Sequence, residues 1–334
     1  MILLWMIFFT AAAVIVIAGI KLSGNGDIIA HKTGLGRMFV GSILIAGATS
    51  LPELVTIGSA AFIGAADIAV GNVFGSCLFN LVILAFVDLI QGPGPLMLYL
   101  NLKHILSALS GMLLLGIAAL FILLNYLGVF SIAPGGIGLG SLIIFLLYII
   151  SARLNYRYDD NKEEKKQEEL FEVDITLSKA VISFTVAAVM IIIGGIILSL
   201  TADRIAALTG LEQTFMGTIL MAAATSLPEV ATVVGALKIN AYNMAAANIF
   251  GSNIFNVLII AIADVFFRAG SIFNFVSLDH IVTALIAIIL SGIAVIGLFY
   301  RSKKSVFYLG WDSIMILIIY LFGVFVLFQI GIVI

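Results

Sequence analysis

A block of forty residues occurs twice in this chain without a gap. Gly41–Asn80 reads GSILIAGATSLPELVTIGSAAFIGAADIAVGNVFGSCLFN, and Gly217–Asn256 reads GTILMAAATSLPEVATVVGALKINAYNMAAANIFGSNIFN. Thr49 is matched by Thr225, Glu53 by Glu229 and Asn80 by Asn256, always 176 residues later, and about half of the aligned positions are identical. Each copy carries one carboxylate beside a proline within otherwise apolar sequence. Whatever the chain folds into must therefore place two equivalent acids in two equivalent apolar surroundings.

Those surroundings reflect the whole chain. Its 334 residues are 63% hydrophobic and only 10% charged, with a mean hydropathy of +1.25, where a soluble domain is about 25% charged. The apolar runs are continuous rather than alternating, which argues for helices and against strands. The fold class expected is an all-α polytopic membrane protein. Spans are expected at about 2–21, 38–62, 67–90, 104–125, 133–151, 178–200, 213–236, 243–266, 280–299 and 308–330. The first, Ile2 to Ile20, lacks a basic leader and is long enough to cross a bilayer, so it reads as a retained helix. Five spans lie on each side of a polar segment, 152–176, that contains RYDDNKEEKKQEELFEVD and reads as a solvated linker. Residues 1–151 are then a first five-helix repeat around the motif 41–80, and 177–334 a second around the motif 217–256. Asp27 with Asp203, Asp88 with Asp264, and His104 with His280 keep the same offset beyond the motifs.

Basic residues orient the spans. With the N-terminus outside, the inward connections hold Lys21, Lys32, Arg37, Lys103, Arg153, Arg157, Lys162, Lys165, Lys166, Lys179, Lys238, Arg301, Lys303 and Lys304, and the outward ones only Arg204 and Arg268. Both termini are expected outside and the linker in the cytoplasm, in the plasma membrane. Five spans per repeat is an odd number, so the second repeat enters the membrane with opposite polarity. The ten helices form two inverted-topology repeats, an arrangement typical of secondary transporters.

The motifs carry the chemistry. Pro52 lacks an N–H, so the Ala48 carbonyl loses its helical partner and a kink is expected there; Pro228 does the same to Ala224. Carbonyls freed within a membrane must be satisfied otherwise or line a wet cavity. Thr49, Ser50 and Glu53 share a helix face. The next span adds a stripe of Asn72, Ser76 and Asn80, matched by Asn248, Ser252 and Asn256; Asn72 and Asn248 serve either as ligands or as packing glue. Gly71 with Gly75, and Ala247 with Gly251, form small-xxx-small patterns that let two helices approach closely. The shell is all oxygen, which favours Na⁺, Ca²⁺ or Mg²⁺ over zinc or copper. No Lys or Arg lies between Arg37 and Lys103 or between Arg204 and Lys238. Each motif glutamate must then be protonated, hydrated or bound to a cation, because a charge at the bilayer centre costs about 2.5–3.5 kcal/mol or more. Cations that need the same two carboxylates compete, which is a basis for exchange. Other polar residues read as incidental: Asp88, Asp264, His104 and His280 at the interfaces, Trp5 and Trp311 in an aromatic belt. The single Cys77 excludes an intramolecular disulfide, and no HExxH or Walker pattern occurs.

TSLPE at 49–53 and 225–229, Gly71-Asn72, Gly75-Ser76-Cys77 and Gly251-Ser252-Asn253 closely resemble the alpha repeats of the cation/calcium exchanger superfamily, particularly its sodium/calcium exchanger branch of prokaryotic type. The resemblance implies that Glu53 and Glu229 ligate Ca²⁺ and also Na⁺, that the backbone carbonyls of Thr49 and Thr225 complete the Ca²⁺ shell, and that Ser50, Ser76, Ser226 and Ser252 line flanking Na⁺ sites with the carbonyls of Ala46 and Ala222. It places Asn80 and Asn256 at the centre, near the carboxylates. The mechanism implied is alternating access, with two gating helices sliding past a more rigid core. The chain departs from the family pattern at Ala48, Ala224 and Ala247, where Gly is usual, and at Asn256, often Asp in relatives; two carboxylates rather than three argue against a K⁺ site.

The function expected is a Na⁺-driven Ca²⁺ antiporter, with Na⁺, Ca²⁺ and the lipid bilayer as its partners, no cofactor, no nucleic acid and no enzymatic step; a single chain is expected to suffice. The rivals are H⁺/Ca²⁺ exchange through the same glutamates, since a desolvated Glu can take a proton, and exchange of Mg²⁺ or Mn²⁺. A cation channel is a further class. So is an intramembrane hydrolase, for which Ser50 and Ser226 lack a histidine base in their motifs.

Overall fold

The computed structural model describes residues 1–92, 94–129, 136–159, 175–209, 225–303, 305–306 and 309–333. Among the described residues the main helices are, in order, α1 (Ile2–Thr33), α2 (Arg37–Phe62), α3 (Ala66–Ile90), α4 (His104–Tyr126), α5 (Leu139–Asp159), α6 (Leu177–Thr209), α7 (Leu227–Lys238), α8 (Tyr242–Phe266), α9 (Asp279–Tyr300) and α10 (Trp311–Val333). Among the described residues, all but α7 have the length and apolarity of a membrane span. The seventh expected span, 213–236, lies partly outside the described residues, as do the linker from 160 to 174 and Ala222. The chain is a multi-pass, nearly all-helical membrane protein. Among the described residues the one strand pairing is a two-residue antiparallel ladder, Ser305–Val306 against Leu309–Gly310.

Three helices overrun their expected limits. α5 continues to Asp159, eight residues into the segment expected as linker. α1 continues to Thr33 and α6 to Thr209, about 48 Å each at 1.5 Å per residue, beyond an apolar core about 30 Å thick. The polar residues of α1 do not end it because they find partners. Ser23 donates to the Thr232 carbonyl at 2.6 Å, and Asn25 donates to the Lys21 carbonyl and to Ser183. Asp27 takes a bidentate pair of bonds from Arg37, across the short turn that follows α1. Gly34, at φ 68°, makes that turn in the left-handed region.

The chain divides into two compact units, Met1–Pro52 with Leu154–Ser252, and Glu53–Arg153 with Asn253–Ile334. Each draws on both repeats. In the first unit α1 packs along α6 and α7 around Ala11, Ile15, Leu198, Ala202 and Ala231. Lipid is as apolar as a leucine side chain, so helices in a membrane associate through close packing rather than hydrophobic burial. The contacts here follow that rule. A Cβ on Gly19 would stand 2.6 Å from the Ala231 Cβ, and one on its counterpart Gly195 would stand 2.7 Å from the Pro52 ring. The first helix of each repeat thus rests a glycine on the TSLPE helix of the other.

In the second unit α9 packs against α3, α4 and α10. Asp88 and Asp264, two residues before the ends of α3 and α8, are buried at 0% and 1% exposure. Asp264 accepts bonds from the Gly138 N–H, the Ser141 hydroxyl and the Ile272 N–H. Asp88 accepts from the Leu96 and Gly310 N–H groups. Gly138 and Gly310 stand at the entrances to α5 and α10, the last helix of each repeat. The acid of one repeat therefore holds the last helix of the other, a reciprocal pattern that two-fold related halves produce. His104, expected at the interface, is fully buried. His280 pairs with Asp67 at 3.3 Å.

Candidate functional site

The site begins with α2. Its first turn, Arg37–Phe39, opens into a π-helical segment, Val40–Ile45, before α-helix resumes over Ala46–Phe62 with Pro52 inside it. The π-helical segment at Val40–Ile45 is an irregularity the sequence reading did not anticipate, separate from the kink expected at Pro52. There α2 meets α8 backbone to backbone. A Cβ on Gly41 would approach the Met244 carbonyl oxygen to 2.7 Å, and one on Gly251 would fall on the Ser42 backbone. This is the close approach expected of the Ala247/Gly251 pattern. Single π turns inside α-helices recur at functional sites.

The second motif is described from Thr225 onward. Ser226 stands at the N-cap position of α7 without a side-chain capping bond, and Pro228 sits in the first turn, where a missing N–H leaves no helical bond unmade. The same sequence thus puts its proline inside a helix in one copy and at the start of one in the other.

In the first unit the two motifs converge. Ser50 Oγ donates to Glu229 Oε1 at 3.4 Å, joining residues 179 apart in the chain. The Thr49 hydroxyl, one residue before Ser50, donates to the Ala46 carbonyl at 3.1 Å. Glu229 is fully buried, and its Oε2 has no hydrogen-bond partner among the described residues; nor do the hydroxyls of Ser226 and Ser252. Thr225 is buried beside them in sequence. Asn248 Nδ2 donates to Thr232 Oγ1 at 2.7 Å, and Thr232 in turn bonds the Pro228 and Glu229 carbonyls.

The second unit holds the other carboxylate. Ser76 Oγ donates to Glu53 Oε1 at 2.6 Å, with Glu53 at 1% exposure. One helical turn further along α3, Asn80 Nδ2 donates to Asn253 Oδ1 at 2.9 Å. Asn253 Nδ2 donates to the Cys77 carbonyl, and the Cys77 thiol lies 3.8 Å from the Asn253 carbonyl. Cys77 and Asn253 are equivalent positions of the two repeats. Equivalent residues touch each other only near the axis that relates them, so α3 and α8 cross there. Asn256 is fully buried, and neither its amide nitrogen nor its oxygen has a hydrogen-bond partner among the described residues.

The donor set is hydroxyl, carboxylate and amide oxygen. Ser50 and Ser76 each place a hydroxyl hydrogen on a carboxylate, which leaves the hydroxyl oxygen's lone pairs available to a cation. Among the described residues no three His, Cys, Asp or Glu side chains group as a metal cluster would. Such an oxygen set suits a hard cation. Of the expected site residues, Ser50 and Glu229 are brought together in the first unit, and Glu53 and Ser76 in the second. Thr232 and Asn253 were missed by the sequence reading. Thr232 lies three residues beyond Glu229 and Asn253 next to Ser252, but neither spacing tells which residue it will bond.

Known proteins share this organisation. The family model described as sodium/calcium exchanger protein matches residues 3–156 and 179–331, one segment per repeat. The chain is 27% identical over 342 aligned positions to the sodium/calcium exchanger MaX1 of Methanosarcina acetivorans, covering 92% of this chain and 93% of that one. It is 27% identical to the inner membrane protein YrbG of Escherichia coli, over 80% of this chain and 82% of the relative. In fold it resembles the solved sodium-calcium exchanger NCX_Mj, with a TM-score of 0.74 at 20% identity, over 97% of this chain and 98% of the other. With nearly its full length matched as two repeats, the chain belongs to the sodium/calcium exchanger protein family, whose members are transporters rather than enzymes.

Proposed function

We propose that the protein is a secondary antiporter that exchanges Na⁺ for Ca²⁺ across the plasma membrane by alternating access, with both termini outside. The observation that carries this reading is the placement of hydroxyls on both motif carboxylates: Ser50 on Glu229 and Ser76 on Glu53. A proton needs a single lone pair, whereas Na⁺ and Ca²⁺ need several oxygens, and a hydroxyl-dressed carboxylate offers several. Glu53 and Glu229 carry the charge of the transported cation. Thr49, Thr225, Ser50, Ser226, Ser76, Ser252, Asn80, Asn256 and the carbonyls of Ala46 and Ala222 supply neutral oxygens. Because Na⁺ and Ca²⁺ draw on the same carboxylates, occupancy by one displaces the other, and exchange follows.

The test is Ca²⁺ uptake into proteoliposomes under an imposed gradient of Na⁺, K⁺ or protons. Uptake is expected only with the Na⁺ gradient, and it should fall to background in Glu53→Gln and in Glu229→Gln. Uptake driven by the proton gradient alone would overturn Na⁺ coupling. Full exchange in both variants would overturn the site.

A further inference from the structure

A side-chain amide can present either its oxygen or its NH₂ group, and only the oxygen can hold a cation. Asn80 and Asn248 are both 1% exposed, and in each the choice is made by a neighbour. In the second unit the hydrogen-bond chain ends on the backbone carbonyl of Cys77, which can only accept. Asn253 must turn its NH₂ group to that carbonyl, at 3.3 Å, and its oxygen away from it. The oxygen receives the Asn80 NH₂ group at 2.9 Å. Asn80 Oδ1 is left as the open end of the chain, with no hydrogen-bond partner among the described residues.

The first unit reaches the same result with different residues. The Thr232 hydroxyl lies 3.0 Å from both the Pro228 and Glu229 carbonyls and gives its one hydrogen to them. Its lone pairs can then only accept, and they receive the Asn248 NH₂ group at 2.7 Å. Asn248 Oδ1 is the open end and likewise has no partner among the described residues. Reversing either amide would set two acceptors face to face. The two chains are not copies of each other, because Asn80 corresponds to Asn256 and Asn248 to Asn72. Asn256 has no such lock among the described residues.

We infer that Thr232 and Asn253 are positioning residues: through hydrogen-bond chains anchored on helix carbonyls, they fix Asn248 and Asn80 as oxygen donors for the transported cations. This rests on the exchanger reading above and adds Asn248 to its ligands. Loss of an outer partner typically lowers metal affinity about 10- to 100-fold.

The experiment measures the apparent KM for Ca²⁺ and the maximal rate in proteoliposomes, with thermal unfolding of the purified full-length protein alongside. Thr232→Val removes the hydroxyl at constant shape and should raise the KM about tenfold or more with little change in maximal rate; Thr232→Ser keeps the hydroxyl and should restore the KM. Asn253→Ala should raise the KM similarly, but not in an Asn80→Asp background, where both oxygens are alike and no end needs choosing. An unchanged KM in Thr232→Val, or a fall in maximal rate and unfolding temperature at unchanged KM, would overturn the inference. So would an Asn253→Ala penalty that persists undiminished with Asp at position 80, an arm that stands even if Thr232→Val does not fold. Silence of these variants alongside inactive Glu53→Gln and Glu229→Gln overturns only this inference, whereas full exchange in the glutamate variants overturns the functional reading itself.

Discussion

At the scale of single residues, the buried acids divide by what their oxygens touch. Glu53 and Glu229 receive hydroxyls of motif serines, whereas Asp88 and Asp264 receive chiefly backbone N–H groups from the entrances to helices, together with the Gln91 amide and the Ser141 hydroxyl. The first N–H groups of a helix have no partner within it, and the positive end of the helix dipole favours an anion there. Asp264→Ala strands the donors of Gly138, Ser141 and Ile272 in a buried place. At about 1–3 kcal/mol for each donor left unmet, with partial relaxation, a loss of about 2–5 kcal/mol is expected. Thermal unfolding in detergent would read it, while the Ca²⁺ KM of the surviving protein stays that of the parent. An unchanged unfolding temperature would sink the structural assignment. The TSLPE glutamates were legible in the sequence because they recur in a distinctive setting. The role of Asp88 and Asp264 was not. Their partners, Gly310 and Gly138, are 222 and 126 residues away, and a glycine N–H leaves no mark in a sequence. Thr232 and Asn253 were illegible for a similar reason: what defines them is the direction of a hydrogen bond.

At the scale of elements, periodicity and hydropathy located the spans well, since nine described helices fall on expected segments. Helix ends were the weak point. Lys21, Ser23, Asn25 and Asp27 look like the end of a span, yet α1 continues through them, and the partners of Ser23, Asn25 and Asp27 come from α7, α6 and the first residue of α2. The wide turn at Val40–Ile45 was equally hidden, since no residue type announces it. Gly251 offers a test of the crossing between α2 and α8. A side chain there meets the Ser42 backbone, which cannot swing aside as a side-chain tip can. Gly251→Val is expected to cost about 1–3 kcal/mol or more, as overpacking does, and to depress exchange. Gly24, in α1, has open space around its missing Cβ, so Gly24→Ala should be neutral or stabilise by up to about 1 kcal/mol. Equal unfolding temperatures for the two variants would refute the contrast.

At the scale of the whole molecule, the duplication announced two repeats, and the reciprocal bonds of Asp88 and Asp264 give that symmetry a physical form. The 14-to-2 distribution of basic residues makes a separate prediction about orientation. Cys77 is buried, so a single introduced cysteine can be labelled against a quiet background. Lys165→Cys should react with an impermeant maleimide only after the cell is opened; labelling in intact cells would reverse the assigned sidedness. The same Asp88 also sets a timetable for synthesis. Its Oδ2 is to bind Gly310, a residue the ribosome adds 222 positions later. At about 5–20 residues per second that is roughly 10–45 s. Through that interval Asp88 has its donors from Leu96 and Gln91 but not the one from Gly310, and α5 waits for an acid not yet translated. The nascent first half is therefore an unfinished product that quality control in the membrane must tolerate until the second half closes it.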